Sequence, residues 1–440
     1  LMPYDGFPAQ KAGLQIGDEI ISVDGIITTS KNSGEVSKLL RGQADTPLKI
    51  KVKRYNQEQP LEFTLSRQKI KISNVPYYGM VNSNTGYMKL SEFTQAASLE
   101  VKKALTELKA QGAKQIIFDL RGNPGGLLNE AVNISNIFIP KDKLVVSTKG
   151  KVSEWNTKYI TELMPDDLDI PLAVLVNGRS ASASEIVSGV IQDYDRGVIV
   201  GQRSYGKGLV QTTRELPYKS QIKVTTAKYY TPSGRCIQAI DYAHRAADGS
   251  VPKFLDSLRT AFQTTNKRTV YDGGGVTPDI TVTQDSISPI LISLVTKSLL
   301  FDYATEYHAK RASIGDARIF KLTDAEYQDF VNWLKGKDYS YVTKVEKSLD
   351  EMTAQSKQEK YFDAMKGQLE QMKAVINKDK ENDLIKFKPQ IMEYLEEEIA
   401  SRYYLQRGII EASFDNDNDI QAALEVLNNK TKYDKILSGK

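Results

Sequence analysis

The chain has 440 residues, room for roughly two to four domains, and its 40% hydrophobic and 26% charged residues exclude wholesale disorder and fibrous repeats. Its 59 basic and 55 acidic side chains leave a net charge of +4, too small to argue for a nucleic acid or an anionic membrane as partner. A single cysteine, Cys236, excludes an intrachain disulfide and a cysteine-built zinc site. Two histidines, His244 and His308, leave little room for histidine-based acid–base chemistry.

The start, Leu1-Met2-Pro3, lacks the basic, apolar and small-residue pattern of a signal peptide, so a leader either never existed or has been removed. Residues 8–25 predict a short helical turn, a Gly-Asp turn, and a strand closed by Asp24-Gly25. A helix carrying Val36, Leu39 and Leu40 on one face follows, then alternating strands at 48–52 and 61–65, and this β-rich module closes near Arg67. From residue 86 the pattern becomes strand, helix, strand. Val101, Ala104, Leu105 and Leu108 stripe a helix, 115–120 is a buried strand, and a helix over 127–138 and a strand at 172–176 continue the alternation. A helix to Gln192 and a strand at 197–201 carry this α/β core toward Val282. Beyond Pro289 the signal is helical, with Leu291, Leu294 and Val295, then Tyr361, Met365, Leu369 and Met372, then Ile391, Tyr394 and Leu395 at helical spacings. The apolar stretches at 171–176 and 290–300 fall short of the ~20 residues of a membrane span, predicting no integral membrane segment.

Chemistry concentrates at three strand ends. Asn177-Gly178-Arg179-Ser180-Ala181-Ser182-Ala183-Ser184-Glu185 leads a buried strand into an amphipathic helix; its serines read either as caps or as a nucleophile beside free N–H groups. Three serines so closely spaced cannot all be caps, yet spacing alone does not choose among them. A serine needs a base, and Lys207, between Gly206 and Gly208 just after a strand, is the candidate, since burial there would favour its neutral amine. Gly201-x4-Gly206-Lys207 also matches a phosphate-binding loop, but Gly208 stands where that loop needs a magnesium-binding hydroxyl. Asp119-Leu120-Arg121-Gly122-Asn123-Pro124-Gly125-Gly126 reads equally as a tight turn or as a second oxyanion donor. The acidic run 415–419 has Ile420 and Val426 where a calcium loop needs glycine and glutamate, so it reads as a helix start with Asp419 as N-cap.

In their order, Asp-Leu-Arg-x-Asn-Pro-Gly-Gly, Ser-Ala-Ser-Ala-Ser-Glu-Ile and Gly-x-x-Ser-Tyr-Gly-Lys-Gly-x-Val-Gln resemble the carboxyl-terminal processing peptidases, or tail-specific proteases. Tyr229-Tyr230-Thr231-Pro232-Ser233-Gly234-Arg235 and Gly275-Val276-Thr277-Pro278-Asp279-Ile280 look like further signatures, and the likeness covers about residues 3–282. The resemblance implies Ser182 as nucleophile and Lys207 as general base. It implies Gln211, one helical turn beyond, as the residue orienting the lysine, and the N–H groups of Ala183 and Gly126, with Gly125 as the lesser member of its pair, as the oxyanion hole. It implies a multidomain α/β protein: a PDZ-like domain at 1–70 that lacks its first strand and carboxylate-binding turn, a crotonase-like α/β protease core at 71–284 with an insertion at about 240–269, and an all-α C-terminal region at 285–440. No cofactor or metal is called for.

The expected function is therefore a periplasmic or otherwise extracytoplasmic serine endopeptidase acting on proteins or peptides with accessible C-termini, with the helical region as a surface for a homo-oligomer. The rivals are a catalytically silent PDZ-type binding protein and, more remotely, a nucleotide-binding protein. His244, in the insertion, reads as solvated or structural, and Cys236 as buried in a strand beside Arg235 and Ile237.

Overall fold

A computed structural model describes residues 2–242, 248 and 251–439, and the chain divides into two compact units, Leu1–Lys71 with Asp285–Asn416 and Ile72–Gln284 with Asp417–Lys440. In the first, Pro8 opens α1 (Pro8–Lys11), a position where its missing N–H costs nothing. Strands β1 (Glu19–Val23) and β2 (Ile26–Ile27) follow, then α2 (Ser33–Leu40), β3 (Pro47–Lys53) and β4 (Leu61–Ser66), in an antiparallel sheet ordered β2-β1-β3-β4. Helix α2 starts at a reciprocal cap between Asn32 and Glu35. Alternation along β3 sends Leu48, Ile50 and Val52 inward beside Val23. Arg67 staples the module, donating to the carbonyls of Leu39, Leu40 and Pro47 and to Asp24.

The second unit runs β5 (Tyr77–Met80), β6 (Thr85–Lys89), α3 (Ala97–Ala110), β7 (Gln115–Asp119), α4 (Leu128–Phe138), β8 (Leu144–Gly150), β9 (Thr157–Ile160), β10 (Leu172–Val176), α5 (Ala183–Asp193), β11 (Val198–Gly201), β12 (Leu209–Glu215), β13 (Gln221–Tyr230), β14 (Ala261–Gln263), β15 (Thr269–Tyr271) and β16 (Ile280–Thr281). Its main sheet is ordered β16-β11-β10-β7-β6-β5, parallel except for β5 against β6. A second sheet, β12-β13-β8-β9, carries a long hairpin with β12 at its edge. Ile116, Phe118, Leu172, Val174, Val176 and Ile199 share a core with residues of α3, α4 and α5. With a period of two, Ile117, Ala173, Leu175, Val198 and Val200 point to the other face, and they are equally buried.

The helical part of the first unit comprises α6 (Pro289–Thr296), α7 (Leu299–Lys310), α8 (Asp324–Trp333), α9 (Lys344–Gln358), α10 (Phe362–Lys380), α11 (Asp383–Lys386) and α12 (Lys388–Ser413). Leu291, Leu294, Ile391 and Leu395 are buried as their spacing predicts. Val295, Tyr361 and Met372 are exposed, however, and Leu369 is the one buried side chain of α10. Helices α13 (Asn418–Asn428) and α14 (Lys430–Ser438) group instead with the second unit, where they pack on β7, β10 and β11. Tyr433 exchanges hydrogen bonds with the backbone of Leu172. The N-cap of α13 is Asp417, whose carboxylate accepts from the N–H groups of Asp419 and Ile420; Asp419 itself lies inside the helix. Cys236 is half-buried in irregular backbone rather than in a strand, and His244 lies outside the described residues. Phe118→Ala, at a fully buried position, should cost about 3–5 kcal/mol in chemical denaturation, whereas Met372→Ala, on an exposed face, should stay within ~0.5 kcal/mol.

Candidate active site

Ser182 is the N-cap of α5, at φ 57° and ψ −113°, a backbone region that a residue with a side chain occupies only under constraint and that costs about 1–3 kcal/mol. Its neighbours account for themselves as structure. Ser180 Oγ donates to the Leu120 carbonyl at 2.8 Å, Ser184 Oγ to that of Asn123 at 3.0 Å, and both are fully buried. Ser182 is half-buried and, among the described residues, its hydroxyl donates to no carbonyl. Strain and exposure thus fall together on the middle serine.

The same turn carries a buried carboxylate. Glu185 accepts from Ser204 Oγ at 2.5 Å, from the N–H groups of Gly206 at 2.6 Å and Lys207 at 2.8 Å, and from that of Ser182 at 2.9 Å. Its Oε2 therefore holds Ser182 and Lys207 within two hydrogen-bond lengths of each other along the backbone. Burial raises the Glu185 carboxyl above its ordinary value despite these four donors. Tyr229 ties the two segments a second time, its hydroxyl meeting the carbonyl oxygens of Lys207 and of Ser182, the latter at 3.3 Å. Burial, with Glu185 nearby, pushes this phenol well above its ordinary value. Neither residue stands out in the sequence as part of the site. The signal for Glu185 was its place three residues after Ser182, the spacing of a capping box, and Tyr229 opens the Tyr-Tyr-Thr-Pro signature.

The glycine turn closes on Ser182. A Cβ built on Gly125, where φ is +95°, would stand 2.6 Å from the Ala181 oxygen and 2.8 Å from both Ala183 N and Ser182 Cβ. The Gly125 N–H is already given to Asn123 Oδ1 at 2.8 Å. Among the described residues no acceptor takes the N–H of Gly126 or of Ala183. Asn123 fastens the turn to the serine loop, its carbonyl accepting from Ala181 N–H and Ser184 Oγ.

Lys207 is half-buried in the loop after β11. Gln211 lies on strand β12 beside a bulge, exposed, not one helical turn beyond the lysine, and makes no side-chain hydrogen bond among the described residues. The phosphate-loop likeness fails on geometry as well as on Gly208: the N–H groups of Gly206 and Lys207 are held by Glu185, and that of Gly208 by Gln238 Oε1 at 2.7 Å. His308 sits on α7 edge-on to Tyr403, its proton affinity lowered by burial and by Arg402 and Arg54.

The family model for peptidase family S41 matches residues 84–243, a PDZ domain model matches 3–54, and the model "Probable PDZ-protease, C-terminal helical domain" matches 290–427. The carboxy-terminal-processing protease of Bartonella bacilliformis is 37% identical over 242 residues, covering 54% of this chain and 55% of that protein. The carboxyl-terminal-processing protease of Synechocystis is 38% identical over 235 residues, covering 53% and 54%. The chain thus spans about half the length of these relatives. A solved photosystem II D1 C-terminal processing protease is 29% identical, covering 64% of this chain and 67% of its own, with a TM-score of 0.36.

Two outcomes follow from the geometry. Gly125→Ala should destabilise the fold by about 1–3 kcal/mol, read by denaturant titration, because both its φ and its neighbours exclude a methyl group. A carboxyl raised on folding binds its proton more tightly in the folded chain, so the stability Glu185 contributes is full below 4.5 and is lost as pH rises through the folded value. The melting temperature of Glu185→Gln, lower for want of an acceptor, should therefore fall less than that of the wild type as pH is raised above 4.5.

Proposed function

We propose that this chain, with its peptidase family S41 match over residues 84–243 and its likeness to carboxyl-terminal-processing proteases, is a serine endopeptidase working through an acyl-enzyme, with Ser182 as nucleophile and Lys207 as general base. What carries the reading is the Glu185 carboxylate, which holds the backbone N–H groups of Ser182 and Lys207 alike. The Ser182 proton passes to the Lys207 amine as Oγ bonds to the scissile carbonyl carbon. The oxyanion that forms is met by the N–H groups of Ala183 and Gly126, both unclaimed among the described residues, while that of Gly125 is engaged. Lys207 then returns the proton to the departing amine as the C–N bond breaks, and water releases the acyl group by the same route. Gln211, exposed on β12, has no part in the geometry that supports this reading.

The N-terminal module supplies the recognition step of this reading. A cavity of about 820 Å³ is lined by Leu14, Ile20, Val36, Leu40, Ile50 and Leu65, and it suits an apolar peptide C-terminus laid beside the sheet. Residues 1–70, 71–284 and 285–440 are then the recognition, cutting and helical segments. Val345, Met352, Met372 and Val375, exposed on α9 and α10, offer the surface for a homo-oligomer. No helix among the described residues is long and apolar enough to cross a membrane. The bacterial relatives fit an extracytoplasmic, periplasmic place of work.

Incubated with an unstructured polypeptide bearing an apolar C-terminus and followed by mass spectrometry, the wild type should yield defined fragments. Ser182→Ala and Lys207→Ala should each lower cleavage at least ~1,000-fold while melting as the wild type does. Cleavage that survives either substitution rejects the pair, and a wild type that binds the peptide without cutting it favours the silent binding protein.

A further inference from the structure

The glycine turn that supplies Gly126 leaves the sheet at Arg121, and the partners of that arginine come from two distant parts of the chain. Its Nε and Nη2 meet Asp119, the last residue of β7, at 3.0 and 2.8 Å. Its Nη1 donates to Asp417 at 2.8 Å and to Asp419 Oδ2 at 2.9 Å, both from the start of α13. Asp119 is fully buried and also accepts from Tyr87 Oη at 2.6 Å, with Lys89 Nζ at 3.5 Å. Burial opposes the charge on Asp119, but Arg121 and Lys89 hold its carboxyl well below the ordinary range.

From Arg121 the connection to the serine is short. The Gly122 N–H donates to Asn177 Oδ1 at 3.0 Å, and the Asn123 carbonyl takes the N–H of Ala181 at 3.0 Å. Helix α13 does not need its aspartates to dock, since Ile420, Ala423 and Val426 bury an apolar stripe in the same unit. A buried ion cluster adds little net stability once desolvation is counted, so two further carboxylates on one guanidinium are poorly explained as mere adhesive. They do fix its plane and position, because a guanidinium held on both edges cannot rotate.

We propose that Asp417 and Asp419 are positioning residues which, through Arg121, set the place of the 122–126 turn and so of the Gly126 N–H relative to Ser182. The proposal rests on the peptidase reading for its catalytic consequence, and on the ion cluster alone for its structural one.

The test is Asp417→Asn/Asp419→Asn in the full chain. Asparagine caps a helix as well as aspartate, so α13 keeps its start while Arg121 loses two charged partners. Amide hydrogen exchange followed by mass spectrometry should show a peptide spanning 120–127 exchanging at least ~10-fold faster than in the wild type. Cleavage of the unstructured polypeptide should lose roughly 10- to 100-fold in kcat with KM within about twofold, the mark of a displaced donor rather than of lost binding. Asp434→Asn, an exposed change on α14, should leave both readouts unchanged. If the double variant does not fold, Asp417→Asn alone carries the same comparison. Unchanged exchange at 120–127 overturns the clamp whatever the activity, as does a loss confined to KM or an equal response from Asp434→Asn. Faster exchange in a protein whose Ser182→Ala form cuts as the wild type does would uphold the clamp and reject the peptidase reading.

Discussion

A carboxylate taken out of water must find donors, and that requirement organises the centre of the second unit. Glu185 sits one turn inside α5 and has no room for solvent, so both its oxygens are supplied from the protein: from its own helix start, and from the loop after β11. Each donor is a backbone N–H or a short hydroxyl, so the carboxylate constrains main chain rather than flexible side chains. The strained Ser182 backbone is one consequence. A residue at positive φ persists where its surroundings overdetermine it, and here Glu185, Tyr229 and the Gly125 turn do so from three sides.

Around this centre the sheet imposes a second demand. β7, β10 and β11 are apolar at successive positions, which means burial on both faces, and α3, α4 and α5 share a core with only one set of alternating side chains. The other face is met by α13 and α14, drawn from far along the chain. Cover for the sheet and two of the three carboxylate partners of Arg121 therefore come from one short stretch.

Patterns local in sequence were legible. Alternation at 48–52, the unbroken apolar strand at 172–176 and the glycines of the 119–126 turn each correspond to what the structure holds there. What escaped depends on partners remote in sequence. Glu185 looked like an ordinary first-turn acid because nothing nearby shows that Gly206 and Lys207 return to it. Residues 417–439 fell within the all-α region at 285–440, since helical pattern alone does not name what a helix covers. The capping aspartate was misplaced by two residues because alternating Asp and Asn offer several acceptable caps. Gln211 was read at helical spacing from Lys207, but the backbone after Gly208 is extended.

The position of α13 and α14 also bears on the order of folding. These helices leave the ribosome after every strand they cover, so until they emerge the apolar far side of β7, β10 and β11 lacks the cover that α13 and α14 give it. Contacts of such long sequence separation form late and slowly. A nascent chain whose middle is already translated thus carries a half-clad apolar sheet, the kind of surface that makes a folding intermediate prone to aggregate until residues 417–439 arrive.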